Sequence, residues 1–100
     1  MGELVPLPGG PLHPKRAIER IREMWKAGTV VWTSHAEARM KARKIEMTDI
    51  QHLVRYGRVT EHSRPRLKWR YKIEGTSVDG GSLRCLVEIN GHLVIVTVLW

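Results

Sequence analysis

The segment Arg66-Leu67-Lys68-Trp69-Arg70-Tyr71-Lys72-Ile73 alternates strictly between cationic and apolar residues. Period two is the period of a β-strand, whose successive side chains point to opposite faces of a sheet. One face of this strand must therefore meet a core, through Leu67, Trp69, Tyr71 and Ile73. The other carries a row of cations about 7 Å apart, two residues of strand rise. A row of Arg66, Lys68, Arg70 and Lys72 suits a surface that tracks phosphates; the alternative is an ordinary solvated face.

The chain beyond this strand supplies its partners. Ser82 to Ile89 and His92 to Leu99 are β-prone and flank Asn90-Gly91, which predicts a hairpin with a type I′ turn. With Ile89 opposite His92, Val87 meets Val94, Cys85 meets Val96 and Leu83 meets Val98. Arg84 then faces Thr97 on the other side, and Leu86 faces Ile95. If the loop Gly75 to Gly81 closes with Glu74 opposite Ser82, Tyr71 lies beside Cys85 and Trp69 beside Val87. The core face then comprises Leu67, Trp69, Tyr71, Ile73, Leu83, Cys85, Val87, Val94, Val96 and Val98. The opposite face gathers Lys68, Arg70, Lys72, Arg84 and Thr97. A slip of one residue would exchange the faces. Arg58 to His62 reads as a weaker strand. The last strand is nearly all apolar and suits an interior place, its free side covered by Val30-Val31 or by residues 58–62.

Helix signals come first along the chain. Ile18, Ile21, Met24 and Trp25 form an apolar stripe between Pro14 and Ala27, with Gly28 as the stop. Ser34-His35-Ala36-Glu37 and Thr48-Asp49-Ile50-Gln51 both have the capping-box form. They predict N-caps at Ser34 and Thr48, and helices ending near Lys44 and Tyr56. Residues 1–13, rich in proline and glycine, read as a flexible arm. The expectation is one α+β domain over residues 14–100, with N-terminal helices packed on a four-stranded antiparallel sheet.

The net charge of +7 and pI near 10.2 point to a polyanionic partner, nucleic acid before membrane surface or acidic protein. Cys85 is the single cysteine, so no internal disulfide exists and a reducing cytoplasm fits. No apolar run approaches the roughly 20 residues of a membrane span, and the N-terminus lacks a signal-peptide layout. His13, His35, His52, His62, His92 and Cys85 fall at no metal-ligand spacing, and no glycine-rich phosphate motif or nucleophile elbow occurs. Neither a metal nor a cofactor is expected.

His35 opens a helix, and Arg39 lies four residues on, with Arg43 continuing the same face. A neutral histidine can take a proton near pH 7, and a helix N-terminus attracts phosphate. One turn thus offers a base, a guanidinium and an anion site. Cleaving RNA through its 2′-OH needs that set, with cations on the phosphoryl oxygens. The basic sheet face would add Arg70, Lys72 and Arg84, with Thr97 as a hydroxyl donor.

Trp32-Thr33-Ser34-His35-Ala36-Glu37-Ala38-Arg39-Met40, then Arg43-Lys44-Ile45, Asp49-Ile50 and Gly57-Arg58-Val59, resemble the domain-of-unknown-function 4258 family. Leu93 to Val98 resembles its last strand, which carries a threonine. The likeness spans about residues 18–99 and is most specific from His35 to Arg39. That family is similar to the RelE and barnase-like ribonuclease toxins. The resemblance implies helices on a four-stranded antiparallel sheet, RNA as substrate or ligand, and in some cases an antitoxin protein as partner. Carried over by motif, the catalytic candidates are His35, Arg39 and Thr97. Lys68, Arg70, Lys72, Arg84 and Arg43 are the nucleic-acid-binding candidates. The leading expectation is a metal-independent ribonuclease of toxin type. The alternatives are a non-catalytic nucleic-acid-binding module and a basic partner of an acidic antitoxin.

Overall fold

The computed structural model describes residues 11–64 and 68–99. The elements in order are α1 (Pro14–Ala27), β1 (Val30–Trp32), α2 (Ser34–Arg43), α3 (Met47–Tyr56), β2 (Arg58–Ser63), β3 (Arg70–Thr76), β4 (Ser82–Asn90) and β5 (His92–Leu99). The fold is α+β, three helices packed on one sheet. The sheet has five strands rather than four, in the order β1-β5-β4-β3-β2. It is mixed rather than antiparallel, because β1 runs parallel to β5. β1 covers the otherwise open side of the apolar β5, which explains the extra strand: an apolar strand left at an edge invites pairing with other chains.

α2 and α3 are capped elsewhere than their sequence signals suggest. Thr33, not Ser34, caps α2: its hydroxyl accepts from the Ala36 N–H at 3.0 Å. Thr33 still belongs to the sheet edge, since its N–H donates to Ile95 O. A cap must be extended on its strand side, and Thr33 meets that condition first. Glu46, not Thr48, caps α3, with the Asp49 carboxylate accepting from the Glu46 N–H at 3.0 Å. α1 starts and stops as expected, with Gly28 in the left-handed region at φ 78°.

β3 begins at Arg70, four residues later than the alternation suggests; Arg66 and Leu67 lie outside the described residues, as does most of the proposed arm. Lys68 and Trp69 precede the strand. The β3–β4 pairing sets Thr76 against Ser82 and Ile73 against Cys85, two residues from the predicted register. The loop is tighter than expected, closed by Ser77 N–H to Gly81 O at 2.8 Å. An even offset keeps every side chain on its predicted face.

The β4–β5 hairpin differs more. Asn90 pairs with His92, and of the two turn residues only Gly91 has a positive φ, so the turn is not type I′. The register moves by one residue. Leu93 and Ile95 enter the core, while Val94 and Val96 are only half-buried. Burying Leu and Ile removes more apolar surface from water than burying two valines. A bulge at Val96, against the Leu86–Val87 step, then restores Val98 to the core and Thr97 to the opposite face.

The core joins Ile18, Ile21 and Met24 of α1 with Ile50, Leu53 and Val54 of α3. They meet Ile73, Leu83, Cys85, Val87, Leu93 and Ile95 from the sheet. Arg22 of α1 reaches the end of α3, donating to Val54 O at 2.8 Å and Gly57 O at 3.0 Å, so it satisfies carbonyls the helix leaves open. The Leu12 N–H donates to the buried Tyr71 hydroxyl at 2.9 Å. Among the described residues no helix is long and apolar enough to cross a membrane.

Candidate functional site

The sheet face turned away from α1 and α3 carries Arg58, Arg70, Lys72 and Arg84, but also Glu61, Glu74 and Glu88. Most of this charge is matched between strands. Arg70 Nε lies 2.7 Å from Glu88 Oε2, and both side chains are largely covered. Lys72 Nζ lies 2.8 Å from Glu61 and 3.8 Å from Glu74. The hydrogen bond from Lys72 holds the Glu61 carboxyl below its ordinary pKa of 4.5, with the Lys72 charge adding to it. The row of cations expected from the alternation is therefore a lattice of ion pairs over its β3 part. Lys68 and Arg43 are exposed outside it.

The corner where α2 packs against β5 has a different character. α2 turns Ala36, Arg39 and Met40 inward, at the i, i+3, i+4 spacing of one helix face. The Thr33 hydroxyl also donates to Val96 O at 2.7 Å, so the start of α2 is stitched to β5. His35 lies two residues from one end of this bond and Thr97 one residue from the other. His35 is exposed, while Thr97 is 7% exposed. Two buried side-chain polar atoms without a hydrogen-bond partner occur among the described residues, Arg39 Nε and Thr97 Oγ1. Buried polar groups are nearly always paired, so two orphans on elements that pack together call for a cause.

Arg84 belongs to the same sheet face as Thr97. Leu86 faces Thr97 and Arg84 faces Leu99, two residues further along each strand. The predicted face therefore survives, although the predicted partner of Arg84 does not.

The family model for a domain of unknown function, DUF4258, matches residues 32–100. The chain belongs to this family. No curated protein and no solved structure matches it. The DUF4258 match opens at Trp32, in the last residue of β1, so α1 lies before it while α2 and Thr97 lie within it.

Within this DUF4258 protein, His35, Arg39 and Thr97 are drawn from the two elements joined by Thr33. Arg70 and Lys72 are committed to carboxylates on neighbouring strands. Thr33 was legible only as a neighbour of the expected cap; the sign that could have revealed it is a threonine at the last extended position before a helix. Cys85 is buried and offers no nucleophile, since burial pushes its thiol up from 9.0 to about 12. Among the described residues, His, Cys, Asp and Glu nowhere form a group of three that could hold a metal ion.

Proposed function

We propose that this protein binds RNA in the cytoplasm and cleaves it through the ribose 2′-OH without a metal, in the manner of the RelE and barnase-like toxins. The observation that carries this reading is the pair of unpartnered buried atoms, Arg39 Nε and Thr97 Oγ1, on the two elements stitched beside His35. A phosphodiester admitted to this corner by a shift of the side chains that cover it would supply what both lack: oxygens to accept from a guanidinium and a hydroxyl.

Neutral His35 takes the 2′-OH proton, the 2′-oxygen bonds to phosphorus, and the bond from phosphorus to the 5′-oxygen breaks. The 5′-oxygen leaves with a proton from water, giving a 2′,3′-cyclic phosphate and a 5′-hydroxyl, and the hydroxide left behind takes the proton from His35, restoring neutral histidine and water. Arg39 and Arg84 hold the phosphoryl oxygens, and Thr97 donates to the one on which charge grows. The exposed cations Lys41, Arg43 and Lys44 at the end of α2 suit an acidic antitoxin that would cover the same corner.

Incubating the purified protein with single-stranded RNA in EDTA tests the reading. The expected products carry 2′,3′-cyclic phosphate ends, and His35→Ala slows their formation roughly 10²- to 10⁴-fold. Intact RNA, or cleavage unchanged in His35→Ala, overturns it. Salt-dependent RNA binding that survives His35→Ala without turnover selects the non-catalytic binding module instead.

A further inference from the structure

A groove of about 590 Å³ opens between the end of α3 and the cross-strand row Arg58, Glu74 and Arg84. Its size lies within the range of small-ligand sites, roughly 300–1,000 Å³. Arg58 and Arg84 stand two strands apart, roughly 10 Å, so both long side chains can reach a single phosphate between them. Glu74 intervenes, but its Oε2 accepts the Thr60 hydroxyl at 3.0 Å and lies 3.8 Å from Lys72 Nζ. Arg84 is itself engaged on the sheet and acts on Glu61; a guanidinium carries five N–H donors, so both arginines can still turn some of them toward the groove. Two guanidiniums fronting a groove are an oxyanion site by their fork geometry.

Tyr56 forms another part of the wall and is 68% exposed. Its ring does not swing loosely: His52 lies against it at 4.8 Å between centroids and the Arg55 guanidinium at 5.9 Å. His52 is in turn held by Thr76 O, 3.0 Å from its Nδ1. An aromatic ring that is both propped and exposed, beside two arginines, is the pairing of parts that takes a nucleotide: a base stacks on the ring while its phosphate meets the cations. The groove borders the sheet face that carries Thr97, because Arg84 in its wall is the diagonal neighbour of Thr97.

We infer that this groove is a nucleotide site, with Tyr56 stacking on a base and Arg58 and Arg84 holding the attached phosphate. It rests on the ribonuclease reading only in its role: it seats the nucleotide next to the one cut beside His35 and Thr97.

The test uses the full chain carrying His35→Ala, a fluorescein-labelled single-stranded octaribonucleotide and a salt series. Tyr56→Ala weakens binding about 5- to 100-fold, and Tyr56→Phe restores it. Arg58→Ala weakens binding and lowers the salt slope by about one. Both positions are exposed, so both variants fold. Unchanged affinity and slope in Tyr56→Ala and Arg58→Ala overturn the inference while leaving cleavage at His35 standing. If the oligonucleotide does not bind at all, NMR titration with AMP decides. Shifts centred on Tyr56, Gly75 and Thr76 uphold a free-nucleotide site and remove the ribonuclease reading; their absence removes both.

Discussion

Arg70 and Arg39 are both half-buried arginines, and the molecule treats them oppositely. Arg70 sits in a lattice of opposed charges on β2, β3 and β4, its Nε bound to Glu88. Arg39 sits at the α2–β5 corner with its Nε buried and unanswered, on the element that packs against the strand bearing the equally unanswered Thr97. The first region is complete in itself and earns its charges by stabilising strand pairing. The second lacks something. Positive charge alone therefore does not single out the candidate site; unsatisfied polarity is what sets it apart.

Exchanging the two arginines for alanine gives the largest contrast. Arg39→Ala should weaken RNA binding roughly 10- to 100-fold, the loss of a charge-assisted hydrogen bond, with little change in urea midpoint. Arg70→Ala should do the reverse, lowering stability by roughly 1 kcal/mol because Glu88 is left covered without its partner, and barely altering RNA affinity. Fluorescence anisotropy and urea melts on the same two proteins read both effects. Equal losses of affinity would erase the distinction between the regions.

Thr33 tests how the incomplete corner is held. Thr33→Ala removes both the α2 cap and the bond to Val96 O, and should cost about 1–2 kcal/mol. Thr33→Ser keeps a hydroxyl in place and should recover most of that in a thermal melt. Cleavage should follow the same order if the stitch positions His35.

Thr97→Val gives a smaller effect of unusual sign. It replaces an unpartnered buried hydroxyl with a methyl of the same shape, so the fold should gain about 1 kcal/mol while RNA binding weakens. A loss of stability in urea would mean that the hydroxyl is answered in the folded protein.

Glu61→Gln probes the complete region most gently. The folded-state pKa of Glu61 is lowered, so its contribution is present above 4.5 and lost as pH falls through the folded value. Parent and variant should differ slightly at neutral pH and converge below pH 4.5 in denaturant melts at a series of pH values. A gap that persists in acid would point to a cause other than the Lys72 pair.

Periodicity carried the sequence reading far. The stripe Ile18, Ile21 and Met24 and the alternation Tyr71, Lys72 and Ile73 each gave the right face, because burial alone sets those patterns. The alternation could not reveal that Lys72 would lie 2.8 Å from Glu61, eleven residues away in the chain. Such partners exist only once strands are in register. Register itself hinged on a single turn: Gly91 alone at the apex, rather than Asn90-Gly91 together, moved Leu93 and Ile95 into the core. Thr97 kept its predicted face only because the bulge at Val96 cancelled that shift. His35 and Arg39 were legible from spacing, but the orphaned state of Arg39 Nε and Thr97 Oγ1 depends on packing that no local pattern encodes.

β5 is preceded in the chain by every other element, yet it lies between β1 and β4. A growing polypeptide that has reached Asn90 therefore has a first strand with no neighbour and a helix, α2, with nothing to rest on. β5 thus sits as a central piece rather than at a rim, and its pairing with β1 is a non-local closure of the kind that is intrinsically slow. Because Thr97 travels on that piece, the corner it forms with Arg39 comes into being only with the final closure. If the corner cleaves RNA as proposed, a chain that has not yet placed β5 has no such corner with which to do so.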